Sequence, residues 1–364
     1  MLTKADDFPI HQRPEPVAFA GTDRNFYDRY FFNGYTRDGS LFFAAALGVY
    51  PHLNVMDAAF SVVRSGRQRS VLASRLLAHE RLDTRVEPIA VTVEEPLQRL
   101  RLMVGPNEAG LAADLVFTGF APPIEEPRFT RRIGARTLMD VTRLTQNGGY
   151  QGWVSVDGER IEVSGAWGTR DRSWGVRPIG AADPQPPAPP VMPQFYWLWA
   201  PLNFDGQQLY FHTNDDGDGV PWNRSMVLVG PDGAHLKAWD VRSRLTFKPG
   251  TRHAASAEIE GLTAAGPLRV SLRVVDIFFM QGIGYGHPTR AHGTYHGPHS
   301  VAVETIETAG ADEASLPLNH IQALVEARLT LPDGTTRDGR GVLEQLIIGP
   351  HAPSGFRDLF DLAS

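Results

Sequence analysis

The sequence predicts an all-β protein made of two tandem antiparallel barrel or sandwich domains, and three observations carry that prediction. The first is a hairpin signature written twice. Phe26 to Phe32 is an aromatic run, followed by Asp38-Gly39 and then Leu41-Phe42-Phe43; Phe195 to Trp199, Asp205-Gly206 and Leu209-Tyr210-Phe211 repeat the pattern. Asp-Gly between runs of large apolar residues marks a hairpin, because glycine enters the left-handed backbone region that tight turns need. The two Asp-Gly pairs lie 167 positions apart, and Leu100-Arg101-Leu102 and Ala113 to Phe117 recur at nearly that offset as Leu268-Arg269-Val270 and Val275 to Phe279. An internal duplication is the expected reading. The second observation is the supply of turn formers, 36 Gly and 28 Pro. The third is negative: no long amphipathic helix and no alternation of strand and helix patterns occurs.

Taken in order, the first residues to about Val17 are polar and proline-bearing and read as a surface strap. Strand-length apolar stretches follow at 61–63, 71–77, 86–93, 97–104 and 111–117, each ended by Gly, Pro or charge. Residues 54–60 and 318–327 are each open to a short helix; in the second, His320, Ile321, Leu324, Val325 and Arg328 have helical spacing. Residues 181–193, AADPQPPAPPVMP, are too rich in proline to donate to a sheet. They read as a linker between a first domain, 1–180, and a second, 194–364. Further strands are expected at 224–229, 236–241, 268–279, 300–305, 327–331 and 342–348.

Composition narrows the function. The 364 residues are 42% hydrophobic and 21% charged, an ordinary globular balance with room for two cores. A net charge of −6, with arginines dense only at 64–69 and 128–136, argues against nucleic acid as a partner. The absence of cysteine excludes disulfides, thiolate nucleophiles and Cys-ligated metals. The longest apolar stretch, 41–50, is too short for a bilayer span of about 20 residues, and Met1 to Pro9 lacks a leader core. A cytoplasmic protein without stable membrane insertion is expected, with a homodimer left open. The chain has no Gly-x-Ser-x-Gly, and its Gly282-x-Gly284-x-Gly286 lacks the strand-to-helix setting of a dinucleotide site.

Two segments concentrate chemistry. Gly165 to Arg177 holds Trp167, Asp171, Trp174 and three arginines. Shelter in an apolar pocket would keep Asp171 protonated and able to donate, whereas arginine pairing would keep it ionised and structural. Gln281 to His299 holds Tyr285, Tyr295 and His287, His292, His296 and His299 among glycines. The spacing matches no metal signature, so neither a metal nor another cofactor is expected. One or two imidazoles beside the tyrosines are expected to line a pocket.

At Trp167-Gly168-x-Arg170-Asp171-x-Ser173-Trp174-Gly175-x-Arg177, at Gly282 to Pro288 with His292-Gly293, and at Gly341-x-Leu343-Glu344 with Gly349-Pro350-His351, the chain resembles a tandem lipocalin-like family. That family includes bacterial carotenoid 1,2-hydratases, AttH-like proteins and eukaryotic survival-factor proteins. The resemblance is to an uncharacterised bacterial branch, with Arg172 where a histidine is usual and Arg290 where an aromatic is common. It implies two lipocalin-like β domains and an apolar small-molecule substrate. The function expected on this basis is a cofactor-independent hydro-lyase acting on a C=C bond of an isoprenoid-like or polycyclic molecule. Asp171 would protonate carbon, Trp167, Trp174 and Tyr285 would wall the cation, and His292 or His287 would be the base. Arg177, Tyr196 and Trp199 are further substrate-binding candidates. A non-catalytic carrier of hydrophobic molecules is the alternative.

Overall fold

A computed structural model describes residues 1–19, 21–184 and 193–364. Residues 185–192 of the expected linker lie outside the described residues. The strands are β1 (Phe26–Tyr35), β2 (Phe42–Tyr50), β3 (Val55–Arg64), β4 (Arg67–Leu76), β5 (Arg85–Val86), β6 (Ile89–Glu95), β7 (Arg99–Val104), β8 (Leu111–Gly119), β9 (Ile124–Glu125), β10 (Phe129–Ile133), β11 (Arg136–Val156), β12 (Glu159–Glu162) and β13 (Trp167–Val176). They continue with β14 (Phe195–Phe204), β15 (Gln207–Asp215), β16 (Pro221–Val229), β17 (His235–Lys237), β18 (Trp239–Phe247), β19 (Ala254–Thr263), β20 (Gly266–Phe279), β21 (His299–Glu307), β22 (Ile321–Thr330) and β23 (Thr336–Ile348). Helical structure among the described residues is limited to short 3-10 turns. The all-β prediction holds.

The two segments open to a helix are strands instead. Residues 54–60 enter β3 and 318–327 enter β22. Ile321 to Val325 are all buried, so the strand is covered on both faces. Such a strand shows no alternation, and its spacing is then ambiguous between the two periods.

The chain forms two units, neither continuous in sequence. One comprises Met1–Thr36, Phe43–Ala182 and Gly282–Ile306; the other comprises Arg37–Phe42, Asp183–Gln281 and Glu307–Ser364. The glycine–histidine segment therefore folds with the first unit although it is written in the second half.

The first sheet runs β21-β4-β3-β2-β1-β13-β11-β8-β7-β6-β5, with β9, β10 and β12 attached to β11. Its core is aromatic. Tyr150 meets Phe43 at 5.0 Å and Phe117 at 5.4 Å, both edge-on, the orientation ring quadrupoles favour. Three glycines in register across β1, β13 and β11, Gly34, Gly168 and Gly148, make room for these rings. A Cβ on them would lie 2.1 Å from Phe43, 2.7 Å from Tyr150 and 2.4 Å from Phe117, respectively. Gly34→Ala is expected to lose about 1–3 kcal/mol of stability by overpacking, measured by urea unfolding; an unchanged midpoint would show that the ring shifts freely.

The second sheet runs β17-β16-β15-β14-β23-β22-β20-β19-β18. Its two end strands are parted only by Ala238, whose N–H donates to Met226 O at 2.9 Å, so the sheet curls until it nearly closes. Burial alternates along β19 and β20, the pattern of strands with one face inward. The Asp205-Gly206 hairpin joins β14 to β15 with Phe204 opposite Gln207.

Candidate functional site

The site lies in the first unit, where the glycine–histidine segment covers β2, β3 and β4. Ala46, Ala58, Ala59, Leu72 and Ala73 make its floor, and Ile283, Gly284 and Ala291 lie along the covering segment. Small side chains leave a narrow cleft between this floor and the covering segment. Its polar groups are Asp57, Ser74, Arg290, His292, Thr294 and His296.

Asp57 is an isolated acid in the apolar run of β3, opposite Ser74 of β4. Tyr50 donates its hydroxyl to Oδ1 at 3.3 Å, and the Gly293 N–H donates to Oδ2 at 2.8 Å. Gly293 has φ +74°, so the turn that aims its N–H inward suits glycine. Burial pushes the Asp57 carboxyl up to about 6, against the opposing pull of Arg29, the Gly293 N–H and Tyr50. Burial also raises the Tyr50 phenol well above its ordinary range, so Tyr50 remains a donor. The Asp57 residue is only half-buried, which leaves an edge open to the cleft.

The histidines separate by role. His292 donates from Nε2 to Ile283 O at 2.9 Å and accepts at Nδ1 from Arg29 at 3.2 Å, with Tyr285 edge-on at 4.4 Å. Both of its nitrogens are engaged, which makes it a positioning residue rather than a free base. Gly284 lets it sit so close: a Cβ there would lie 2.7 Å from the ring. His287 accepts at Nδ1 from the N–H groups of Thr289 and Arg290 and pairs through Nε2 with Glu304 at 2.5 Å. It pins the segment to β21. His299 is exposed and bonds Glu87 O. His296 differs, because its buried Nε2 has no hydrogen-bond partner. Burial first, then Arg290, holds its imidazole below the usual range and therefore neutral at neutral pH.

The structure thus brings His292, Tyr285 and Arg177 together but not the other expected residues. Arg177 stacks over Tyr27 at 4.5 Å and over Tyr285 at 5.7 Å. Asp171 sits half-buried on β13 between Phe31 of β1 and Thr145 of β11 and does not line the cleft. Its strand is a structural seam. Thr169 bonds Asn33 and Asn147, Arg170 bonds Gln146, and Arg172 pairs with Asp28. Trp167 is half-buried and Trp174 is 38% exposed on the same strand. Tyr196 and Trp199 belong to the second unit, where Tyr196 stacks on His351 at 3.8 Å and Trp199 is buried. Sequence reading did not single out Asp57, Tyr50 or Arg29, and named His296 only as one of the clustered histidines. The available signal was a lone carboxylate inside Val55 to Val63, a run otherwise without charge. Among the described residues no group of three or more His, Asp or Glu side chains could hold a metal ion, and no helix is long and apolar enough to cross a membrane.

Fold and site together define a two-unit antiparallel β protein with an acid-bearing cleft in its first unit. The chain belongs to a family of unknown function, DUF8625, whose model matches residues 2–357. Its fold is similar to that of a candidate AttH from Nitrosomonas europaea, with a TM-score of 0.57 at 14% identity, over 93% of this chain and 98% of the other. It is also similar to kievitone hydratase from Nectria haematococca, with a TM-score of 0.55 at 10% identity, over 88% of each chain. At such identities the likeness is one of fold. A search of curated protein sequences finds no match.

Proposed function

We propose that the cleft of the first unit is the active site of a hydro-lyase that adds water to, or removes it from, a C=C bond of an apolar isoprenoid-like or polycyclic molecule. The observation that carries this reading is Asp57, a desolvated carboxyl ionising at about 6 with one edge open to an alanine floor. A carboxyl so placed is still partly protonated near neutral pH and can give its proton to carbon. Tyr50 and the Gly293 N–H hold the carboxylate that remains. His296, neutral and with Nε2 unpartnered, takes the proton of the attacking water. His292 and Arg29 set the segment that carries Gly293 and His296. Asp57 replaces Asp171 in the acid's role, and no cofactor is required. The fold shared with a kievitone hydratase supports the reading.

The test is incubation with terpenes, prenylated phenols and polycyclic enones in ¹⁸O-labelled water, read by mass spectrometry. One class should gain a single labelled water with the wild-type protein and none with Asp57→Asn. Retention of a compound without conversion would favour a carrier. Equal labelling by Asp57→Asn would remove the acid assigned here.

A further inference from the structure

Charge around the cleft is unbalanced. Arg29 is 2% exposed and reaches His292 Nδ1 and Ile283 O, each at 3.2 Å, while its Nε has no acceptor. Its guanidinium lies 4.6 Å over the Tyr285 ring. Arg177 lies over the same ring and over Tyr27, and donates to Pro178 O at 3.0 Å. The carboxylate whose charge acts on Arg29 is Asp57. In the form that donates a proton, Asp57 is neutral, and the two guanidiniums, stacked on Tyr285 behind the lining of the cleft, then act on it without that opposing charge. Buried cations of this kind oppose any positive charge that forms nearby and favour a negative one. A carbocation on the substrate is thus the wrong charge for this site, whereas an oxyanion matches it.

We infer that the reacting double bond is conjugated to a carbonyl, and that water adds through an enolate rather than a carbocation. This rests on the hydro-lyase reading of the same cleft and names its substrate class, an α,β-unsaturated ketone or a cyclic equivalent. Water oxygen bonds the β-carbon, and the C=C pair shifts toward the carbonyl oxygen as the enolate. Asp57 then delivers its proton to the α-carbon, which restores the C=O bond. The surplus proton of water passes to His296, and solvent exchange returns Asp57 and His296 to their starting forms. The net change is addition of one water to give a β-hydroxy ketone; the reverse is its dehydration. The guanidiniums act through their field, with Arg29 held behind His292.

The test uses 4-nitrophenol, whose colour reports its ionisation and which requires no turnover. Bound to the wild-type protein, it should ionise at a pH lower by about one unit, a tenfold preference for the anion. Arg177→Met should move the ionisation back toward that of the free phenol, Arg177→Lys should keep the shift, and Asp57→Asn should deepen it. Ala59→Leu, which fills the floor, should abolish binding and so places the probe. Absence of saturable binding, an unshifted or raised ionisation, or a shift that survives Arg177→Met would overturn the inference. In the labelling panel, enones should take up water. Labelling confined to terpenes would overturn this inference and leave the hydro-lyase reading intact. A lowered phenol ionisation with no labelling of any class would sink the hydro-lyase reading and the enone assignment with it.

Discussion

Asp57→Asn is expected to abolish turnover and to make the protein more stable. General acid catalysis by a positioned side chain contributes about 10²–10⁴-fold, and the amide cannot supply the proton. The stability gain follows from linkage. The folded-state value of Asp57, about 6, lies above its ordinary 3.8, so burial disfavours the ionised form. A raised carboxyl binds its proton more tightly folded than unfolded between those values, so stability falls as pH rises from about 4 to about 6. Above that window the full penalty is present, and a neutral amide avoids it. The lost hydrogen bonds from Tyr50 and Gly293 offset part of the gain, which leaves about 1–2 kcal/mol at pH 8. Thermal unfolding of both proteins at pH 4 and pH 8 would read this directly: the variant should gain only at pH 8. A variant less stable at both pH values would make Asp57 a structural acid. The same sign sets the activity profile. If protonated Asp57 is the donor, kcat/KM falls tenfold per pH unit above about 6.

Glu344→Ala is expected to damage the second unit by about 3–5 kcal/mol. Glu344 is buried on β23, where Oε1 accepts from Trp197 Nε1 at 3.0 Å and His320 Nε2 at 2.9 Å, and Oε2 accepts from Gln322 at 2.6 Å. Burial raises its carboxyl, but His320, Gln322 and Trp197 outweigh burial and hold it below the usual range. Alanine would take away the carboxylate acceptor that three buried donors share, the costly side of hydrogen bonding. The sign of the pH effect is opposite to that of Asp57: this stabilisation is present above the ordinary glutamate range and is lost as pH falls through the lowered folded value. Urea unfolding at pH 7 checks the magnitude, and a loss under 1 kcal/mol would mean that water replaces the carboxylate. Asp57 and Glu344 are both desolvated acids, yet their carboxyls shift in opposite directions. Three strong side-chain donors surround one, and the other has a phenol and backbone N–H groups.

Strand positions were largely legible because turn residues and chain stiffness act locally. Asp205-Gly206 terminates a strand where expected, with Gly206 at φ +75°. The misread segments, 54–60 and 318–327, are strands whose inward and outward faces are both covered, so the alternation that would identify them is missing. The tryptophan–arginine segment attracted attention for its composition. Its polar side chains proved to hold neighbouring strands: Arg172 grips Asp28, and Arg170 bonds Gln146. Composition cannot separate such a seam from a catalytic strand, because both need dense hydrogen bonding.

The sequence by itself determined the all-β class and the glycine-dependent turns, and it singled out the segment around Tyr285 and His292. These depend on backbone sterics and on residue types a few positions apart. Only the tertiary structure decided that this segment folds with the first unit, and so which acid it meets. Asp57 and Gly293 stand 236 positions apart and touch at 2.8 Å. The value of about 6 at Asp57 comes from burial against Arg29, Tyr50 and Gly293. Desolvation is a property of a filled volume, and no stretch of chain carries it alone.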